Sequence, residues 1–493
     1  MRVIQKSQFQ LGEVAIAHIQ IDARSRDDIP AILKGLQLIY TQEETRKKLF
    51  DLLEGSIESK ADKTVGRPGM DLWRIFVLAT LKEGLNCDFD RLQELANQHK
   101  TLREMLGHSD WADQTVYALQ TLVDNVSLLS PQVLVEISQL VVETGHEVAK
   151  KKPGDALRGR CDSFVVETDV HYPTDTNLLW DAMRTLIRVT GQACENYGVR
   201  GWRQYHYHSR QLKQQFRKTQ KQRYSNSKKP EKQQRKREQV HQHYRDYLQQ
   251  AKLLCEKVQA TLPALAERGG LLEVETLRHY SVHAYRQIDQ IERRVLQGQT
   301  IPHQEKVFSL FEPHTRWLCK GKAGVPVELG VAVCVLEDQY QFILHHRILW
   351  QETDDQLTVP MVKDTQARFP DLNQCSFDRA FYTPANRQAL DELLAHTVMP
   401  KKGRLSQADQ DREYSEAFRK ARHQHAAVES CINNLEHRGL DRCRSYGKKG
   451  FERSVALSIL AYNLHRLGLI LQKNEKARLA KQARRDARLR LAA

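Results

Sequence analysis

The sequence predicts a mixed α/β protein in which an all-helical N-terminal region precedes a strand-based core, and a long helical insertion interrupts that core. Apolar residues repeat at helical spacing from Asp28 to about Lys151, whereas strand-forming residues dominate near 162–170 and again after Val307. A helical segment rich in Lys, Arg and Gln separates the two strand-forming regions. These changes predict an N-terminal domain at 1–150, a core at 155–178 plus 305–471, an insertion at 179–304 and a basic tail at 472–493.

Composition narrows the possible partners and the compartment. The chain has 493 residues, a net charge of +15 and a pI near 9.3, and its cations are clustered, which favours a polyanionic partner, nucleic acid ahead of an anionic membrane surface. No run approaches the roughly 20 apolar residues of a membrane span, and the first residues lack the apolar segment of a signal peptide. Nine cysteines without CxxC or zinc spacing predict a protein of the reducing cytoplasm.

In the N-terminal region the pattern predicts one extended segment and then short helices. Residues 13–21 alternate, which predicts a strand or an extended arm. Asp88 and Asp113 are placed to cap helices, and a last helix starts at Pro131. Short helices separated by glycine-containing turns are consistent with a helix-turn-helix-like module for DNA binding or dimerisation, with Arg67 in a basic turn as a candidate phosphate contact. A helical bundle without DNA contact is the alternative.

The insertion is predicted to form two antiparallel helices around a turn that starts at Ser225. Its middle, 203–237, is dense in cations with interleaved aromatic residues, and cations of one sign favour phosphate binding over a merely solvated coiled-coil hairpin. The candidate phosphate contacts are Arg217, Lys218, Lys221, Arg223, Lys228, Lys229, Arg235, Lys236 and Arg237.

The second half of the core carries further strands and helices. Residues 327–344 predict a β-hairpin, 354–369 a helix, and 374–378 a strand that ends in Asp378. Further helices are predicted at 384–395, at 415–438 with Glu429, and at 451–471, the last strongly apolar.

Three acids in this arrangement suggest a metal site. Asp162 shares a strand face with Phe164 and Val166, and an acid on an apolar face is costly to bury unless its charge is offset. An Asp at the exposed start of an edge strand is the alternative. In a mixed sheet, Asp162 and Asp378 can be neighbours, and a helix on that face can bring Glu429 to them. Three carboxylates would supply hard oxygen ligands for two Mg²⁺ or Mn²⁺ ions.

Six segments of the chain together resemble bacterial insertion-sequence transposases of the DDE type, most closely the ISNCY-type group. They are CDSFVVETDVHYPTDTNLLWDAMR at 161–184, KGKAGVPVELG at 320–330, FDRAFYTPANRQAL at 377–390, VESCINNLEHRGLDRC at 428–443, FERSVALSILAYNLHRLG at 451–468 and GRPGMDLWRIFVLATLKEGL at 66–85. The resemblance covers nearly the whole chain and implies an RNase H-like catalytic core. Phe164 and Ala380 stand where the family often has Thr and Gly.

Carried over by position, the resemblance makes Asp162, Asp378 and Glu429 the catalytic and metal-binding acids. Asp169 and Asp175 rival Asp162, and Glu436, seven residues after Glu429, rivals that residue. Other polar residues near these acids are weighed as phosphate contacts or as structural groups. Lys320, Lys322, Arg438 and Arg442, with Asn386 and Arg387, are the candidate phosphate contacts; His171 and Tyr172 are candidates to orient substrate; Asn463, His465 and Arg466 are expected to be satisfied polar groups of the core.

The resemblance further implies a DNA transposase acting near the nucleoid, in the cytoplasm. It would bind the terminal inverted repeats of its element, cut phosphodiester bonds and join the freed 3′-OH to target DNA, as a homodimer on paired ends and without a membrane. The alternatives are an RNase H-like metal nuclease without strand transfer and a catalytically silent DNA-binding protein.

Overall fold

The structure is a computed structural model that describes residues 2–3, 12–58, 67–109, 113–221, 227, 229–319 and 327–492. Arg223, Lys228, Lys320 and Lys322 lie outside the described residues, as does the start of the turn predicted at Ser225. The chain folds into two compact units, residues 1–169 with 318–493 and residues 170–317. The predicted insertion, 179–304, lies within the second unit. The predicted N-terminal domain does not form a compact unit of its own.

In the N-terminal part of the first unit the described residues form mainly helices, together with a two-residue pairing of β1 (Arg2–Val3) with β2 (Arg67–Pro68). Its helices are α1 (Asp28–Thr41), α2 (Glu43–Glu58), α3 (Leu72–Gly84), α4 (Phe89–Gln98), α5 (Lys100–Met105), α6 (Leu119–Val126) and α7 (Pro131–Val148). Short polar residues fix where several of them begin. Asp88, as predicted, caps α4 by accepting a hydrogen bond from the Arg91 N–H at 2.8 Å, which satisfies an otherwise unpaired backbone donor.

The described residues form a mixed sheet of seven strands, six of which lie wholly in the first unit, whereas the strand at 316–318 spans the boundary between 317 and 318. The described strands are β3 (Leu157–Thr168), β4 (Arg316–Leu318), β5 (Glu328–Glu337), β6 (Ile343–Leu349), β7 (Leu372–Phe377), β8 (His396–Val398) and β9 (Arg442–Cys443). Strand β3 is central. It pairs antiparallel with β5, which pairs antiparallel with β6, and on its other side it pairs parallel with β7, which pairs parallel with β8.

Six helices lie in the part of the chain that carries the second half of the sheet. They are α12 (Asp354–Arg368), α13 (Pro384–Leu393), α14 (Gln407–Glu413), α15 (Glu416–His425), α16 (Ala427–Leu435) and α17 (Gly447–Ala492). The two sheet faces are buried differently. Cys161, Cys375 and Phe377 belong to a core shared with α1, α3 and α7, whereas Phe164 and Val166 belong to a core shared with α16 and α17. The N-terminal helices and the sheet therefore have a common interior.

Helix α17 is long and apolar, and it packs within the first unit. One 18-residue window in it has a mean hydropathy of 1.4, so by length and composition alone this helix could cross a membrane. However, 78% of that window is buried within the protein, where α17 packs against α1, α3 and α7. The apolar stretch is therefore accounted for as a core helix.

Three local predictions are wrong. The segment at 13–21 forms a short 3₁₀ turn, Ile16–His18, because Gln37 of α1 donates hydrogen bonds to the Ile16 and Ile19 carbonyls at 2.8 and 2.9 Å. Asp113 caps no helix: its carboxylate accepts from the Thr115 N–H and contacts His108. The helix predicted at 415–438 is broken at Ala426 into α15 and α16, with a π-helical turn after them.

The second unit is described by four long helices and a hydrophobic core of its own. The helices are α8 (Asp175–Asn196), α9 (Tyr205–Lys221), α10 (Pro230–Glu267) and α11 (Leu271–Ile291). Leu186, Leu212 and Val258 are each fully buried among them. The two helices predicted on either side of the turn at Ser225 correspond to α9 and α10.

Candidate active site

Asp162 lies on β3, and Asp378 directly follows the end of the adjacent parallel strand β7. The register pairs Cys161 of β3 with Phe377 of β7, so Asp162 and Asp378 are the next residues of the two strands. The backbone of Asp378 is still extended, with φ −80° and ψ 171°. Neighbouring strands lie about 4.8 Å apart, so the sheet itself brings these two acids together although 216 positions separate them.

Both acids face the same side of the sheet. Side chains alternate along a strand, so Asp162 shares its side with Phe164 and Val166, and Asp378 lies opposite to Phe377. Phe164 and Val166 pack against α16, whereas Phe377 packs in the core on the other side. Asp162 is half-buried and Asp378 is exposed. A carboxylate pair at a partly open position on a packed sheet can bind a cation without being fully desolvated.

Along β3 and β7, polar residues on the same side of the sheet precede the two acids. Arg158 pairs with Gln374 and Arg160 with Ser376 in the same register. All four line a cavity of about 230 Å³ that α15 closes with Ala421 and Gln424. Cationic and neutral hydrogen-bonding side chains therefore precede the carboxylate pair along the strands, and sequence analysis did not assign them a role.

Arg160 is held by a buried acid. Its Nη2 lies 3.0 Å from Oε2 of Glu337 and donates to the Asp338 carbonyl at 2.5 Å. Glu337 is 1% exposed and also accepts from the Tyr462 hydroxyl at 3.2 Å. Burial raises the pKa of Glu337 to about 7, and the nearby Arg160 charge opposes that shift. The guanidinium is thus fixed two residues before Asp162.

His425 is the neighbour of the acids that sequence analysis missed. Its Nδ1 lies 3.0 Å from Oγ of Ser376, and burial lowers its pKa to about 4 although the negative charge of Asp378 acts in the opposite direction. The imidazole is therefore neutral at neutral pH. Its spacing of four residues before Glu429 was the only available signal, and that spacing indicates a shared face only within one unbroken helix.

Glu429 lies on a helix that covers the acid-bearing face, but it does not complete a metal site in this structure. Val428, Cys431 and Leu435 of α16 pack with Phe164 and Val166, whereas Glu429 in the first turn of α16 is exposed. Across the described ranges, no group of three or more His, Cys, Asp or Glu side chains is arranged to hold a metal ion. The structure brings together two of the three predicted acids and places the third on the neighbouring helix.

The rival acids lie elsewhere. Asp169 follows Asp162 by seven residues, which is about 23 Å along an extended strand, and its carboxylate is 3.9 Å from Arg442. Asp175 begins α8 in the second unit and pairs with Arg294 at 2.5 Å. Glu436 follows the end of α16 and opens the π-helical turn. Proximity to Asp378 thus favours Asp162.

Arg438 is a structural residue, which corrects its assignment as a phosphate contact. Its side chain is 4% exposed and donates to the Gly84 carbonyl at 2.7 Å, to Asn434 at 3.0 Å and to Asp28 at 3.2 Å. A guanidinium that is 4% exposed and bonded to three protein partners is not accessible to a phosphate. Arg442, in contrast, is half-exposed and pairs with Glu167 at 3.0 Å.

The other predicted contacts divide between surface and structural positions. Arg217, Lys218 and Lys221 are exposed on α9, Lys229 is exposed before α10, and Arg235 and Arg237 are exposed near the start of α10, with Lys236 partly buried. Arg67 lies in β2.

Asn386, by contrast, uses its amide to donate to the Asp355 and Phe381 carbonyls, and Arg387 pairs with Asp391 at 2.8 Å.

Several polar residues proposed as core groups have protein partners, as expected. Asn463 bonds both the N–H and the carbonyl of Ile343, at 2.9 and 3.0 Å. His465 lies 3.0 Å from Asp28.

His171, a candidate to orient substrate, lies in the second unit. It is 2.6 Å from the buried Asp181, and this contact raises the pKa of His171.

Comparison of the chain with protein-family models, with curated proteins and with solved structures finds no match.

Proposed function

We propose that the protein is a DDE-type insertion-sequence transposase, which cuts DNA at the ends of its element and joins them to target DNA. The observation that carries the proposal is the β3–β7 register, which places Asp162 beside Asp378 on the sheet face that α16, with Glu429, covers. Carboxylates on adjacent strands are suited to binding divalent cations, which phosphoryl transfer requires to neutralise developing charge.

The strand order supports the RNase H-like part of the proposal. Along the chain, the strands β3, β5, β6, β7 and β8 are arranged in the order β6-β5-β3-β7-β8, with β5 antiparallel to β3 and with β7 and β8 parallel to it. If these five strands are numbered 1 to 5 in chain order, their order in the sheet is 3-2-1-4-5. An RNase H-like core has the same order and carries its first acid on the central strand. The long second unit between β3 and β5 would be an insertion into that core.

In the proposed site, Asp162 and Asp378 would hold Mg²⁺ or Mn²⁺, with Glu429 as a further ligand. Two such ions would activate the attacking oxygen and stabilise the leaving oxygen. Arg160, fixed by Glu337, would position a phosphate next to the carboxylates, and neutral His425 would orient the Ser376–Asp378 segment through the Ser376 hydroxyl. DNA ends and target would occupy the basic surfaces, and a homodimer would pair two ends.

A catalytically silent DNA-binding protein is the second candidate. It is favoured by the exposed position of Glu429 outside any assembled metal-binding group of the described residues. The helix break at Ala426 separates Glu429, on α16, from α15, so the transposase proposal requires Glu429 to move toward the other two acids by a change at this break. The two candidates differ in whether DNA is cut.

The test is a cleavage and strand-transfer assay on DNA that carries the native element ends, with Mg²⁺, using the full-length protein. Wild type should produce cleaved ends and joined products. Asp162→Asn, Asp378→Asn and Glu429→Gln should each lower the cleavage rate by about 1,000-fold or more, because charge stabilisation of the transition state is lost, while end binding stays within about twofold.

Asp169→Asn and Glu436→Gln are matched controls. Each removes a carboxylate that is seven residues from a predicted catalytic acid in the sequence but lies outside the proposed site in the structure. Cleavage that survives Asp378→Asn would show the site to be wrong. Cleavage without joined products would indicate a nuclease, and the absence of both with intact end binding would indicate the silent protein.

A further inference from the structure

The second unit contains a pocket that none of the preceding assignments uses. Helices α8 and α9 enclose a cavity of about 510 Å³ together with Phe311, and we call it the α8–α9 pocket. Its central lining residues recur every four positions on each helix: Trp180, Arg184 and Arg188 on α8, and Tyr205, Ser209 and Lys213 on α9. This spacing places each set on one helix face. The volume lies within the range of about 300–1,000 Å³ that is usual for small-ligand sites.

The lining combines flat aromatic rings with cations. Trp180 stacks on Phe216 with centroids 5.6 Å apart, and Lys213 lies 5.8 Å from the Trp180 ring. The Arg184 guanidinium lies 4.9 Å from the Phe311 ring. Among the described residues that line the pocket, none is acidic. Rings with nearby cations suit a ligand that has a planar face and a negative charge.

The wall formed by Tyr205 depends on a glycine in α8. A Cβ built on Gly191 would lie 2.2 Å from the Tyr205 ring, so only glycine allows the ring to lie directly on the helix. Glycine inside a helix costs about 1 kcal/mol relative to alanine, so its position in the middle of α8 has a local reason. Tyr205 and His206 then form one side of the pocket, with ring centroids 4.1 Å apart.

We infer that the α8–α9 pocket binds an unpaired nucleotide of single-stranded DNA, its base against Trp180 and Tyr205 and its phosphate near Arg188 and Lys213. A duplex keeps its bases stacked and paired, so it cannot present a base face to these rings, whereas single strands bind proteins through aromatic stacking and cationic grooves. Arg188 and Lys213 are exposed and can reach a phosphate. The inference rests on the part of the proposed function that makes DNA the partner, but not on the carboxylates.

The experiment measures binding of the full-length protein in EDTA to a fluorescein-labelled 20-nucleotide oligothymidylate and to a duplex of the same length. EDTA removes any dependence on metal or cleavage, so this test can fail or succeed independently of the acid site. Trp180→Leu and Arg188→Gln should each weaken single-strand binding about 10-fold, and both should leave duplex binding within about twofold. Trp180→Phe, which keeps a ring, should restore most of the affinity.

Arg278→Gln is the charge-matched control, because Arg278 is exposed on α11 and does not line the pocket. It should leave single-strand binding within about twofold. Thermal unfolding monitored by circular dichroism checks that the variants fold, and Arg188→Gln alters only an exposed side chain. Single-strand binding that is unchanged in Trp180→Leu and Arg188→Gln, or lowered equally by Arg278→Gln, would overturn the inference. Thymidine monophosphate binding as tightly as the oligonucleotide would also overturn it, since a free nucleotide would then be the ligand.

Discussion

The two compact units position their charged side chains in different ways. In the first unit, strand register aligns Arg160 with Ser376 and places Asp162 beside Asp378, so the partners are fixed by backbone hydrogen bonds. In the second unit, the exposed cations of α9 and α10 follow helix faces, and the α8–α9 pocket forms only where two helices pack. Strand register thus positions the acids and Arg160 of the first unit, whereas the basic residues of α9 and α10 in the second unit are presented to solvent along helix faces.

The largest expected effect in the first unit is the pH dependence of stability that is due to the buried carboxyl group of Glu337. Glu337 has a pKa of about 7 in the folded state against an ordinary value of 4.5. Between these values the folded chain keeps a proton that the unfolded chain has released, so the stability due to this group falls as pH rises from 4.5 to 7. The difference in unfolding free energy between wild type and Glu337→Gln should fall by roughly 3 kcal/mol over that window.

Urea denaturation at several pH values measures this difference, and other titrating groups cancel because both proteins share them. A difference that stays constant with pH would mean that the pKa of Glu337 is not raised and that the Arg160 charge fully offsets the cost of burying this carboxylate.

The next effect compares close packing in the two units. A Cβ on Gly468 of α17 would lie 1.8 Å from the Ala31 carbonyl oxygen of α1, whereas the nearest atoms to a Cβ on Gly191 would be side-chain atoms of Tyr205. Backbone cannot move aside as a side chain can, so Gly468→Ala should lower stability by about 2–3 kcal/mol. Gly191→Ala should lower it by about 1 kcal/mol or less, because alanine favours the helix. Equal losses in urea denaturation would contradict the contrast between the units.

The smallest expected effect is the difference in stability between a variant of the buried Arg438 and a variant of the half-exposed Arg442. Arg438→Met should lower stability by about 2 kcal/mol, because it leaves the Gly84 carbonyl without its donor, and should leave DNA affinity unchanged. Arg442→Gln, at a half-exposed ion pair, should lower stability by less than about 1 kcal/mol. Urea denaturation and fluorescence anisotropy with labelled DNA measure the two quantities. A loss of DNA affinity in Arg438→Met with unchanged stability would restore its original assignment as a phosphate contact.

The fold was predictable where local patterns decide structure. The alternation in β3, the hairpin of β5 and β6 and the capping of α4 by Asp88 follow from residue types and spacing, and the structure confirms them. Asp113 was misassigned because a nearby histidine competes for its carboxylate. Residues 13–21 were misassigned because hydrogen bonds from Gln37, which follows them in the chain, stabilise a turn that alternation cannot reveal.

The candidate site was predictable only in its acids. A mixed sheet with the Asp162 strand at its centre was enough to expect that Asp378, at the end of a later strand, could lie next to Asp162, and the register agrees. Arg438 was misassigned because burial depends on how α1 and α3 pack against the turn that follows α16, which no local pattern encodes. His425 was missed because its contact with Ser376 joins residues 49 positions apart.

The central claim is that Asp162 and Asp378 form one divalent cation site, and Mn²⁺ binding followed by electron paramagnetic resonance tests it most directly. The full-length protein should bind Mn²⁺, and Asp162→Asn and Asp378→Asn should each weaken binding by about 10-fold or more, whereas Asp169→Asn should not. If both variants bound Mn²⁺ as tightly as wild type, the two carboxylates would not share a metal and the proposed chemistry would be contradicted.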